Sequence, residues 1–367
     1  MMPTRELSAE DAINLFIHSE VSLPRPLRFW LMLLVNVPSV ICAVCLIAYI
    51  LINRAQRYAL HNHTILLILL IGLPVQLMDI NFYLIFFHYG SVLPSTPLVC
   101  RLWWLADYGF VCGGLILMAW LSVERHILIF HDRWLSNARG RFQFHYLPLI
   151  FLVAYILIFY MVVNFFLPCE STYEYSVPVC GASPCYQSYG ILGTWEFLVN
   201  SVIPIFLEGI ATVGLVARVH CQRRRLQQSN RWRKQRRMII QLMLVSSMNV
   251  TLNTPVFFIP FLRSCGLALE YAIQPELYFF FFGYFVIFLF PFASLCQYPH
   301  FRKAISKRVV AVYRYLRQTA TVAPAATATA APAVTMTAAP GVTTAAAPES
   351  TATVTPGLAT IRMRALR

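Results

Sequence analysis

CRLWWLADYGFVCGGLILMAWLSVERH, residues 100–126, decides the fold class. From Leu102 to Val123 this stretch holds 22 residues with a single charged side chain, Asp107. At about 1.5 Å of rise per residue, a helix of that length covers roughly the 30 Å hydrocarbon core of a bilayer. A cysteine opens the run and Glu124-Arg125-His126 closes it. The pattern predicts a membrane-crossing helix, with Asp107 inside it as the residue that needs an explanation.

Six further apolar runs flank this one, at about 29–52, 64–87, 147–167, 193–217, 238–262 and 276–297, and none of the seven contains Lys or Arg. The whole chain of 367 residues is 58% hydrophobic and only 12% charged. A soluble domain has about twice that charge, so a soluble enzyme, a secreted disulfide mini-protein and a DNA-binding domain all fit poorly. The net charge of +14 does not point to nucleic acid, because the basic residues cluster between the apolar runs. With the N-terminus outside, 24 of the 29 Lys and Arg fall on the inner side, the bias that sets membrane topology. The fold class expected is an all-α membrane protein, a seven-helix bundle in the plasma membrane with N-terminus outside and C-terminus cytoplasmic.

The expected organisation is a polar extracellular segment at 1–28, the membrane domain at 29–300, an amphipathic cytoplasmic helix at 301–317 and a disordered tail at 318–367. The first segment carries Glu6, Glu10, Asp11 and Glu20 with no apolar core, so the first span is expected to act as its own signal anchor. Phe301, Ile305, Val309 and Val310 alternate with Arg302, Lys303, Lys307 and Arg308, which suits a helix on an anionic lipid surface. The Ala/Thr/Pro tract after it has too little apolar surface for a core. Cys100, Cys169, Cys180, Cys185 and Cys265 fall on the outer, oxidising side, where nearby cysteines form disulfides. The preferred pairing joins Cys100 to Cys185 and Cys169 to Cys180, with Cys180 as the alternative partner of Cys100.

The order of these features resembles a rhodopsin-like (class A) G-protein-coupled receptor. In that family a cysteine opens the third helix and an Asp/Glu-Arg-Tyr triplet closes it at the interval that separates Cys100 from Glu124-Arg125-His126. Asn36, Asn62, Pro204, Pro255 and Pro291 match the family's marks in spans 1, 2, 5, 6 and 7, and Phe301 matches the start of its membrane-surface helix. The resemblance covers about residues 29–310 and has clear departures. Gly72 stands where the family has a buried acid, Asn253-Thr254-Pro255 lacks the family's tryptophan, and Phe290-Pro291-Phe292-Ala293-Ser294 replaces Asn-Pro-x-x-Tyr. Span 4 has no tryptophan, and 231–237 has no acid to hold Arg125. These place the chain as a divergent member, similar to invertebrate receptor sets, expected to lack the family's sodium site.

The resemblance implies a ligand site and a coupling site. Asp107 falls where amine-binding members pair an aspartate with a ligand cation, and Tyr284 where they place the tyrosine that hydrogen-bonds it. Tyr108 and Phe257 are expected as aromatic wall, and Asp79 as a second acid near the outer end of span 2. Glu124, Arg125 and His126 are expected at the G-protein face, with Glu124 holding Arg125 at rest. The expected partners are an extracellular small-molecule or peptide ligand, a heterotrimeric G protein and membrane lipids, with no nucleic acid, metal or cofactor. Lys234, Lys303 and Lys307, the only lysines, all lie outside the spans, so a retinal Schiff base has no anchor. The competing class is a seven-helix transporter or channel. An enzyme is not expected.

Overall fold

The computed structural model describes residues 20–181, 184–223, 231–264, 269–299 and 301. In hydrocarbon every backbone donor and acceptor must be satisfied within the chain, so long apolar runs resolve into helices. The helices are α1 (Arg25–Ile52), α2 (Leu60–Tyr89), α3 (Pro97–Phe130), α4 (Ala138–Phe166), α5 (Gly190–Cys221), α6 (Arg231–Ser264) and α7 (Leu269–Leu295). Among the described residues there is no strand. Six of these helices, all but α6, are long and apolar enough to cross a membrane. The sixth expected span lies within α6, where Ser246, Ser247, Asn249, Thr251, Asn253 and Thr254 dilute the apolar character.

Local chemistry sets the helix ends. Pro97 begins α3, a position where its missing N–H costs nothing. Gly90, at φ 76°, ends α2 in the left-handed region and returns its N–H to Phe86 at 2.8 Å. Prolines also open the helices internally. Pro74 immediately precedes a π-turn at Val75–Asp79. Pro204 has no N–H for the carbonyl of Asn200 and closely follows another at Glu196–Val202. A third π-turn, Leu105–Phe110, lies in α3. Asp79, Glu196 and Asp107 belong to these three turns, where one extra residue shifts the register of everything beyond it.

Helix α3 is the central post. Two-thirds of its most apolar window is buried (67%), against 28% for α1, α4 and α5. It packs on α2, α4, α5 and α6, while α7 closes the ring against α1 and α6. The outer helices present Leu34, Ile41, Phe151, Ile158, Phe206 and Ile210 outward. An apolar exterior this extensive suits lipid and would drive a water-facing protein to aggregate.

Two disulfides sit at one end of the bundle, and their pairing corrects the preferred expectation. Cys100 is joined to Cys180, its alternative partner, and Cys169 to Cys185. Val179 and Cys180 both take φ 54°, a region hostile to a β-branched side chain. Trp104 Nε1 donates to the Val179 carbonyl at 2.8 Å, and Glu174 N donates to Cys180 O at 3.1 Å. These bonds hold the turn over the start of α3, with the Cys180 Cα 5.8 Å from that of Cys100. Cys185 instead lies beside the end of α4, 6.0 Å from Cys169 between Cα atoms. Cys42, Cys45, Cys112, Cys221 and Cys296 are free thiols. The expected surface helix beyond Phe301, the 318–367 tail, the head before Glu20 and Cys265 lie outside the described residues.

Candidate functional site

Near the disulfide end, a cavity of about 370 Å³ opens between α3, α5, α6 and α7, within the size range of small-molecule sites. Asp107 and Tyr108 line it from the π-turn of α3, Phe257 from α6 and Tyr284 from α7. Tyr284 donates its hydroxyl to Asp107 Oδ1 at 2.5 Å. Asp79 is not part of this wall, which corrects its expected place in the ligand site. It is fully buried, accepts from Trp103 Nε1 at 2.8 Å, and its Oδ2 has no hydrogen-bond partner. The reason is the indole of Trp103, which turns Asp79 into the α2–α3 seam beside Tyr83, whose ring meets Trp103 edge-on at 5.1 Å.

The cavity contains an acid that the sequence reading missed. Glu196, on α5, is buried and faces Asp107's cavity. Its Oε1 accepts from Tyr186 at 2.7 Å and its Oε2 from Gln187 Nε2 at 3.1 Å. Those donors follow Cys185 directly, so the Cys169–Cys185 disulfide anchors the turn that presents them. The turn fits only because residue 193 is glycine: a Cβ there would lie 2.4 Å from the Gln187 carbonyl oxygen. The available signal was positional, an acid in an apolar run eight residues before Pro204 with no basic residue in the run to pair with it.

Below the cavity a polar thread continues. Asn249 and Asn253 line the floor; Asn253 donates to Asn249 Oδ1 at 2.6 Å, and Asn249 donates to Glu208. Thr212 then bonds Ser246 at 2.9 Å and Ser122 at 3.3 Å. Glu208 thus bridges α5 to α6 rather than facing the cavity.

No protein-family model matches the chain, and no curated protein matches it.

At the far end of α3, Glu124 and Arg125 are both almost wholly buried. Glu124 is expected from sequence to hold Arg125; the carboxylate stays close enough to favour the charged guanidinium, but its nearest partners are other groups. Thr64 donates to Oε2 at 2.5 Å and His145 Nδ1 lies 2.5 Å from Oε1. Arg125 Nη2 donates to the His61 carbonyl at 3.0 Å. His126 Nε2 donates to the Ala211 carbonyl at 2.6 Å, tying α3 to α5. Tyr298, just after α7, donates to Asn62 Oδ1 at 2.8 Å, and Asn62 donates to the Gln56 carbonyl at 2.9 Å.

The histidines near Glu124 form a chain. His63 Nε2 lies 2.9 Å from the Arg57 carbonyl, which only accepts, so that nitrogen carries hydrogen. His63 Nδ1 lies 2.9 Å from His145 Nε2. With both rings neutral, His145 would donate to His63 and turn a lone pair toward Glu124. His145 thus stands between His63 and the Glu124 carboxylate. Among the described residues no group of three His, Cys, Asp or Glu side chains has the arrangement of a metal site.

Proposed function

We propose that this chain is a ligand-activated receptor of the rhodopsin-like kind. An extracellular ligand with a cationic group would occupy the Asp107 cavity, and a heterotrimeric G protein would engage the Arg125 end. The observation that carries this reading is that α3 bears both features: a carboxylate in a cavity wall and, about 27 Å along the helix, a buried arginine. In this reading the bundle crosses the membrane seven times, with the disulfide end outside and the Arg125 end in the cytosol. The positive-inside distribution of charge supports that orientation. An agonist shifts the bundle only if it binds one arrangement better than the other. Tyr284, hydrogen-bonded to Asp107, links that site to α7, and Pro255 gives α6 a place to bend.

The deciding experiment is G-protein activation in cells, screened with amines. Arg125→Ala at normal surface expression should abolish activation while leaving ligand binding intact, and Asp107→Asn should abolish the amine response. Persisting activation in Arg125→Ala would refute the coupling role. Tags at the two termini should stain on opposite sides of the membrane.

A second reading has one observation in its favour. The polar pairs Asn253–Asn249–Glu208 and Ser246–Thr212–Ser122, below the cavity, are the kind of intramembrane polar groups used by carriers and proton relays. Amine or proton flux into vesicles, lost in Glu208→Gln and unaffected by Arg125→Ala, would favour a carrier.

A further inference from the structure

Asp107 and Glu196 are the two acids in the cavity wall, and among the described residues that wall includes no Lys, Arg or His. Each carboxylate is buried, at 5% exposure. Their hydrogen bonds come from neutral donors: the Tyr284 hydroxyl for Asp107, and the Tyr186 hydroxyl and Gln187 amide for Glu196. Such donors bring no positive charge, so the wall offers no fixed cation to either acid, and a cation from outside would be balanced by each. Between them the wall is apolar and aromatic, with Val111, Leu115, Phe257 and Phe280. Phe280 meets Tyr284 edge-on at 5.7 Å, and Phe257 lies 5.9 Å from Phe197. Aromatic faces of this kind also favour a cation nearby.

We infer that the cavity is built for a ligand with two cationic groups on a short apolar spacer, one group on Asp107 and the other on Glu196. The inference rests on the reading of the cavity as a cation site and deepens it by naming the second anchor. A ligand with one charge would balance Asp107 and leave Glu196 unanswered. Helices α3 and α5 pack directly and both acids line one cavity, so a short spacer suffices.

The test uses the full-length protein in detergent micelles near neutral pH, with thermal unfolding followed against linear α,ω-diamines and monoamines of equal chain length. In the parent, diamines should stabilise at concentrations at least about tenfold lower than the matched monoamines, the effect of one added charge pair of about 1.4 kcal/mol. Glu196→Gln should erase that advantage, bringing diamines and matched monoamines to equal potency. Glu196→Asp, which withdraws the carboxylate by one methylene, should keep the advantage and move the best spacer one carbon longer; it also covers the case in which the glutamine variant fails to fold. Equal potency of the two amine classes in the parent, or a diamine advantage that survives Glu196→Gln, overturns the inference while leaving a one-cation site standing. Stabilisation by calcium chloride that is equally sensitive to Glu196→Gln would also overturn it, in favour of a metal ion. If no amine binds, the inference and the cation reading fail together. Because the readout is binding without G protein, failure of receptor coupling would leave it unaffected.

Discussion

Glu124 and Glu196 are both buried carboxylates in the helical bundle, and their surroundings differ in kind. Around Glu124 the chain supplies an imidazole and a threonine hydroxyl. Around Glu196 and its neighbour Asp107 it supplies only phenol and amide donors and an open volume. One acid has a titratable base against it, and the other two share a cavity wall without one. A buried ion pair adds little net stability, but removing one member of it is costly. The contrast therefore predicts opposite responses to mutation at the two ends.

The largest effect should come from His145→Ala, which strips Glu124 of its imidazole. A loss of about 3–5 kcal/mol in unfolding free energy is expected, measured by denaturation in micelles, with partial recovery in His145→Gln. A loss under about 1 kcal/mol would mean that the end is not closed in the way its hydrogen bonds imply. Thr64→Val should cost less, about 1–3 kcal/mol, because it removes one neutral donor from Glu124 Oε2. Asp107→Asn should go the other way. It keeps an acceptor for Tyr284 and removes a charge, so the ligand-free protein should unfold at the same temperature or higher, by up to about 1 kcal/mol. Destabilisation as large as that of His145→Ala would erase the contrast between the two ends.

The smallest effect concerns a third carboxylate, just before α1. Glu20 is partly buried, which by itself would raise its pKa, but the guanidiniums of Arg25 and Arg28 outweigh burial and hold it below the usual carboxylate range. A lowered folded-state value means that this contribution is fully present above about pH 4.3, the unfolded value, and is lost as pH falls through the folded one. Parent and Glu20→Gln should therefore differ by up to about 1 kcal/mol near neutrality. The two should converge in acid, as read from unfolding midpoints across a pH series.

The helices were legible because apolar length is a local property of sequence, and α6 is the one whose polar middle blurs it. Asp107 and Tyr284 were legible by position, through their distances from Cys100 and Pro291. Asp79 looked similar from sequence, since nothing local reveals that Trp103 caps it within the α2–α3 seam. Glu196 and His145 depend on partners far along the chain: Gln187 meets Glu196 only because a disulfide anchors its turn, and His145 meets Glu124 only because α4 crosses α3 there. The cysteine pairing failed for the same reason. Spacing does not encode the left-handed turn at Val179–Cys180 that carries Cys180 to Cys100.

That turn also bears on how firmly Glu196 is held. The segment from Cys169 to Cys185 is pinned at both ends and in its middle, to Cys100 and Trp104, and it leads directly into the Gln187 that touches Glu196. If the cavity takes a guest as proposed, loosening this segment would loosen Gln187 and with it Glu196.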